Sequence, residues 1–212
     1  KVLDHRHLGF GADARDQAEP LRLAMLEAAR RVPAARRIYL AADGAPVTQR
    51  RVADLAGMAE LVLVAGRYEG VDERFVQAYT DESLSIGDVV LSGGELPALM
   101  VIDAVARLLP GTLGDAESAV QESFSDGLLD WPHYTRPEVW ADRTVPAVLL
   151  GGNHAAIERW RRKQSLGRTL ERRPELLRLR ELSKEERGLL DEYQAEQDAT
   201  RHGAKDATNA ER

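Results

Sequence analysis

Glu60-Leu-Val-Leu-Val-Ala-Gly-Arg-Tyr-Glu-Gly70 is an apolar run of strand length that empties directly into a glycine-bearing loop. A strand without polar alternation is buried on both faces, as in the parallel sheets of α/β proteins. The residues before it fit that setting. Leu21, Ala24, Met25, Ala28 and Val32 recur at helical spacing between Pro20 and Val32. Arg37-Ile-Tyr-Leu-Ala41 reads as a short strand ended by the turn Asp43-Gly44, and Thr48 is placed to cap a helix carrying Val52, Leu55 and Met58. Strand, helix, strand and loop in this order predict a parallel α/β sheet, whose ligands gather in loops at the carboxyl ends of the strands. Two segments hold such positions, Gly66–Gly70 and Ser85-Ile-Gly-Asp-Val-Val-Leu-Ser-Gly-Gly-Glu-Leu-Pro97.

Beyond the second loop, Leu96–Leu109 reads as a buried helix stopped by Pro110-Gly111. Residues 1–113 therefore form the expected first domain. The segment 114–130, rich in Gly, Ser, Asp and Glu, reads as an interdomain linker. Trp131-Pro-His-Tyr-Thr-Arg-Pro137 is too rich in proline for a helix and is expected as an ordered loop. It opens a helical second domain over 131–199, in which Asn153 suits an N-cap and Ser183-Lys-Glu-Glu186 a capping box. Residues 200–212 carry no apolar period and are expected to form a disordered tail.

Composition narrows the chemistry. The 212 residues include 43% apolar side chains, enough for a real core, and no Cys, which removes disulfides, thiolate nucleophiles and Cys-ligated zinc. The longest strictly apolar stretches, such as Leu61–Ala65, are far too short for a membrane span, and the first residues offer no signal-peptide core. A cytoplasmic protein without a membrane partner is expected. The net charge of −6 is unevenly spread, since residues 155–180 hold nine basic and three acidic side chains. Such a segment is either a solvated helix face or the footprint of a polyanion. The five histidines show no metal-ligand spacing, so no metal site is assigned and a divalent ion remains an open question. No P-loop, nucleophile elbow or dinucleotide-binding fingerprint occurs. What remains is backbone-rich loops, in which glycine lets main-chain N–H and C=O groups approach a ligand such as an adenine ring; on composition alone, Gly93-Gly94 reads rather as a plain turn into a helix.

The order of these strings is specific. Ile38-Tyr-Leu40, Gly66–Arg74, Ser85–Pro97, Gly127-Leu-Leu and Pro132-His-Tyr-Thr-Arg-Pro137 together resemble the bacterial tRNA (guanine-N1)-methyltransferases, from about Glu19 to the helices near residue 190. The resemblance implies a trefoil-knotted α/β domain of the SPOUT class followed by a small helical domain. It also implies methylation of N1 of the guanosine at tRNA position 37, with S-adenosylmethionine as donor. By the same resemblance, Tyr39 and Leu40 border the donor, and Gly66, Tyr68, Glu69 and Gly70 form its first loop. Ser85, Ile86, Gly87, Asp88, Val89, Val90 and Leu91, with Gly93, Gly94 and Pro97, match the knot loops that hold it. Arg107 matches an arginine credited with activating the guanine, and Glu122 stands where the family usually has an aspartate as general base.

The chemistry implied suits these residue types. A sulfonium donor permits direct displacement, which needs no covalent enzyme intermediate and agrees with the missing Cys. Guanine N1 must lose a proton, which a carboxylate can accept, while a guanidinium offsets the charge building on O6. In the resembled family the base reaches across a dimer interface, so a homodimer with shared sites is expected, and the basic 155–180 segment would grip tRNA phosphates. The family's first strand and helix would precede Lys1, and Leu8-Gly-Phe-Gly-Ala-Asp-Ala-Arg-Asp16 stands where the family has a glycine-rich stretch. Two other readings stay beside this one. A non-catalytic RNA-binding remnant of the same fold would have an incomplete site, and a generic nucleotide-binding α/β protein would need a phosphate loop.

Overall fold

The computed structural model describes residues 18–67, 70–112 and 123–210. The chain divides into two compact units, Lys1–Ala116 and Glu117–Arg212.

In the first unit, α1 (Ala18–Arg31), β1 (Arg36–Pro46), α2 (Gln49–Ala56), β2 (Leu61–Ala65), α3 (Glu73–Tyr79), β3 (Glu82–Ser85) and α4 (Glu95–Ala106) follow in order. The three strands make one parallel sheet in the order β2-β1-β3. Both faces are covered, which is why β2 reads as an unbroken apolar run. Val64 meets Leu21, Met25 and Ala28 of α1 and Phe75 of α3, with Tyr39 and Val62 packed beside them. Ile38, Leu40 and Leu84 meet Leu55 of α2 and Val101 of α4 on the opposite face. Neighbours in sequence thus point to opposite layers, as the strand period of two requires.

Two features of this sheet differ from the sequence reading. Asp43-Gly44 does not end the first strand. Leu84 is opposed by both Leu40 and Ala45, so residues 41–44 bulge out before pairing resumes at Ala45 and Pro46. Gly44 is a close approach rather than a turn: a Cβ there would stand 2.6 Å from the backbone of Leu84. The string Glu82–Ser85 carries a single apolar residue, Leu84, which is core, and ion pairs hold its start. Arg36 Nε donates to Glu82 Oε1 at 2.9 Å, Arg51 also pairs with Glu82, and Arg37 bonds Asp81 through its main chain at 2.8 Å and its guanidinium at 2.7 Å.

The second unit contains β4 (Val139–Trp140), β5 (Arg143–Thr144), α5 (Ala147–Leu150), α6 (His154–Arg172), α7 (Pro174–Arg178) and α8 (Lys184–Ala210). Its core joins Leu128, Leu166 and Leu189. Leu128 belongs to the stretch expected as linker, and residues 123–130 are in fact docked on this unit. Leu129 N–H donates to Thr169 Oγ1 at 2.9 Å, Asp130 N–H donates to Ser123 Oγ at 2.9 Å, and Arg162 pairs with Asp126. Beyond Thr200, where no ordered structure was expected, the α8 helix runs on to Ala210. The capping box forms as read: Glu186 N–H donates to Ser183 Oγ at 3.1 Å, and Ser183 N–H donates to Glu186 Oε2 at 2.8 Å.

Three substitutions test this packing. A Cβ at Gly167 would stand 2.4 Å from the ring of Tyr193, whereas at Gly188 it would meet nothing within 4 Å. Helix propensity alone favours Gly→Ala by about 1 kcal/mol. Gly188→Ala should therefore raise the melting temperature, while Gly167→Ala should lower it, because overpacking costs about 1–3 kcal/mol. Glu186 is buried; burial pushes its carboxyl up, but the Ser183 N–H and the Arg162 and Arg180 guanidiniums prevail and hold it below its ordinary value of 4.5. A depressed carboxyl stabilises above its unfolded value, and that contribution vanishes as pH falls through the folded one. Glu186→Gln should thus cost about 1–3 kcal/mol in urea titrations at pH 7 and converge on the parent chain as the pH falls through the depressed titration of Glu186.

Candidate functional site

The parallel register brings the carboxyl ends of the strands together, with Leu40 level with Ala65 on one side and with Leu84 on the other. The loops that leave β2 and β3 therefore start side by side. They are also tied to each other. Gly94 N–H donates to the carbonyl of Gly66 at 2.7 Å, Arg67 and Gly93 form an antiparallel bridge, and the side chains of Arg67 and Glu95 pair across the same junction. Gly94 is buried, and a Cβ on it would stand 2.8 Å from Ala65 Cα, so this approach admits only glycine.

Within this frame, Tyr39 and Leu40 lie at the end of the central strand. Leu40 is core, and the Tyr39 hydroxyl accepts from Val71 N–H at 3.3 Å, pinning the first loop's exit. Gly70 and Gly87 have φ of 120° and 131°, a region that side-chain-bearing residues rarely enter. Ser85 is buried, its hydroxyl donating to Gly87 O at 3.1 Å and accepting Gly87 N–H at 3.2 Å, so it shapes the turn. Ile86 and Asp88 flank Gly87, and Val89, Val90 and Leu91 leave the turn exposed, Val90 by 90%. Pro97 sits in the first turn of α4, where a missing N–H costs no helical bond. Tyr68 and Glu69 lie outside the described residues.

The two candidate catalytic residues are placed differently. Arg107 is exposed and closes the far end of α4, about 18 Å along the helix axis from Glu95. The structure does not bring it to the glycine loops of its own chain. Glu122 lies outside the described residues. Between the loops and Arg107, α4 turns Leu96, Leu99, Met100 and Ile102 outward, with Leu96 and Leu99 each 59% exposed. The sequence reads Leu96–Leu109 as a buried helix, whereas these four side chains are open to solvent.

The ionic contacts change the reading of the basic segment. Arg159 pairs with Glu192, Arg161 with Glu158, Arg162 with Asp126 and Glu186, and Lys163 with Glu196. Acidic partners from α8 and the 123–130 loop offset much of the positive charge counted along 155–180. The Arg67–Glu95 pair was also missed; both residues stood inside the quoted motifs, but nothing in sequence says that residues 28 apart meet. Among the described residues, no group of three His, Cys, Asp or Glu side chains could hold a metal ion. No described helix is long and apolar enough to cross a membrane.

Comparison with known proteins gives one consistent answer. The profile of the family described as tRNA (Guanine-1)-methyltransferase TrmD matches residues 1–179. The tRNA (guanine-N(1)-)-methyltransferases of Pseudomonas putida and Pseudomonas entomophila are each 57% identical to the chain over 198 residues, covering 93% of it and 79% of the relative. That of Pseudomonas fluorescens is 57% identical over 193 residues, covering 91% and 77%.

The junction of the two loops makes a direct prediction. Gly94→Ala must push the start of α4 away from β2, and should lower stability by about 1–3 kcal/mol in chemical denaturation. Gly93→Ala should cost less, because the nearest atom to its Cβ is the end of the flexible Glu95 side chain.

Proposed function

The chain belongs to the tRNA (guanine-1)-methyltransferase family, and from that premise we propose that its two clasped glycine loops hold S-adenosylmethionine for the methylation it performs. The enzyme transfers a methyl group to N1 of guanine in tRNA. The observation that carries the donor assignment is the Gly66–Gly94 junction, which sets two glycine-rich turns side by side at the strand ends. The residues there fit such a donor. Left-handed glycines at 70 and 87 present main-chain donors and acceptors, and Val89–Leu91 offer exposed apolar surface for an adenine. The fold proposed around them is the trefoil knot of the SPOUT class, with Gly66, Gly87, Leu91, Gly93, Gly94 and Pro97 lining the donor site, Tyr39 and Leu40 bordering it, and Tyr68 and Glu69 on the first loop.

The donor supplies an electrophilic methyl group on a sulfonium. The chain's own task is to prepare the guanine. Glu122 accepts the N1 proton, and the freed lone pair forms the new N–CH3 bond as the S–CH3 bond breaks. The Arg107 guanidinium donates to O6, where charge accumulates on deprotonation, and its planar fork suits that oxygen. The target is the guanosine at position 37, beside the anticodon, and the reaction takes place in the cytoplasm.

A homodimer completes the site. Two features support it: Arg107 stands a helix length from the glycine loops of its own chain, and the outward apolar row on α4 is the kind of surface that an isologous contact buries. In this arrangement base and arginine act across subunits. Single-turnover kinetics at saturating donor test the assignment. Glu122→Gln should slow methylation about 100- to 10,000-fold with little change in donor affinity, while Glu122→Asp retains activity. Mixing Glu122→Gln with Arg107→Ala chains should restore part of the rate through heterodimers. Parent-rate methylation by Glu122→Gln would place the general base elsewhere.

A further inference from the structure

Aromatic side chains dominate apolar burial in most proteins, yet in the second unit Tyr134 and the His133 ring stand exposed beside half-buried Trp131 and Trp160. Two of the chain's three tryptophans take part. Trp131 meets His133 at 5.7 Å between ring centroids, tilted by 49°, and Tyr134 meets Trp160 at 6.2 Å, tilted by 55°. The Arg161 guanidinium lies 4.8 Å from the centroid of the Trp131 ring. Trp160 and Arg161 are consecutive on α6, and through them the loop strip Trp131–Tyr134 lies against that helix. Its outer members are open: Tyr134 is 47% exposed and the His133 side chain 68%.

The strip is also fixed in place. Asp130 Oδ2 bonds His133 Nε2 at 2.7 Å, its Oδ1 accepts Trp131 N–H at 2.8 Å, and its own N–H is anchored on Ser123 Oγ at 2.9 Å. An exposed imidazole would otherwise sample several rotamers. Holding it beforehand removes an ordering cost that a ligand would have to meet.

We propose that the outward faces of His133 and Tyr134, backed by Trp131, Trp160 and Arg161, stack an unpaired nucleobase of the tRNA. The inference rests on the tRNA reading of the preceding section. N1 of guanine lies on the edge used in Watson–Crick pairing, so the reacting base is unpaired when it is methylated. Unpaired RNA presents base faces, and aromatic and arginine planes are the surfaces that stack them. Charge points the same way. Arg159, Arg161, Arg162 and Lys163 all have carboxylate partners, which weakens a purely coulombic grip on phosphates along α6. Stacking supplies binding without net charge and recognises a loop rather than a sequence.

The full chain can be titrated with two labelled RNAs of equal length, a stem closed by an unpaired loop and a fully paired duplex, and followed by fluorescence anisotropy. His133→Ala and Tyr134→Ala should each weaken stem-loop binding about 5- to 100-fold and leave duplex binding unchanged. Tyr134→Phe should bind like the parent, and Tyr134→Leu like the alanine variant, since the ring face is what matters. The Phe and Leu comparison also separates stacking from any loss of folding. Alanine variants that bind the stem-loop as tightly as the parent, or that lose both RNAs equally, would overturn the proposal. A parent protein that prefers the stem-loop but methylates no tRNA would instead sink the enzymatic reading and leave the stacking surface standing.

Discussion

The contact on which the first unit depends is the hydrogen bond from Gly94 N–H to Gly66 O, made where Gly94 packs against Ala65 with no room for a side chain. Parallel strands set their carboxyl ends at one edge of the sheet, but that alone leaves the following loops independent. The junction makes them one structure. It aligns the start of α4 with the end of β2, and the Arg67–Glu95 pair closes the same seam from the solvent side. Left-handed turns at Gly70 and Gly87 then shape each loop on either side. A site built in this way relies on main-chain geometry, so its specificity is encoded in residues that lack side chains.

The second unit uses the same economy of space. Gly167 lets Tyr193 of α8 lie directly on α6, and fully buried Thr169 spends its hydroxyl twice, donating to Ser165 O at 2.6 Å and accepting Leu129 N–H. Those contacts hold the loop that leads into Trp131–Pro137. Burial of Glu186 between Arg162 and Arg180 joins the start of α8 to α6 and to the 123–130 segment. Many of the unit's charges are thus engaged in ion pairs.

The sheet was legible in the sequence because Leu61–Ala65 and Ile38–Leu40 are apolar enough to exclude other settings. The helix caps at Thr48, Asn153 and Ser183 were legible because capping is a local interaction. What escaped was non-local. Glu82–Ser85 is held at its start by arginines 31 to 46 residues away, and the role of Gly44 depends on how close Leu84 comes. The supposed linker is docked through Leu128, whose partners lie far along the chain. For the candidate site, the glycine loops were visible as motifs, while their clasp was not. The family resemblance, not composition, singled out Arg107 and Glu122, and no local pattern could have done so.

The central claim is that the clasped loops at the sheet edge bind the methyl donor. Calorimetric titration of the folded chain with S-adenosylmethionine tests it most directly, run beside Gly87→Val, whose φ of 131° a β-branched residue cannot adopt without strain. The account predicts saturable binding by the parent chain and none by the variant, with circular dichroism of the two alike. A folded parent that binds no donor, or a Gly87→Val chain that binds it equally well, would contradict it.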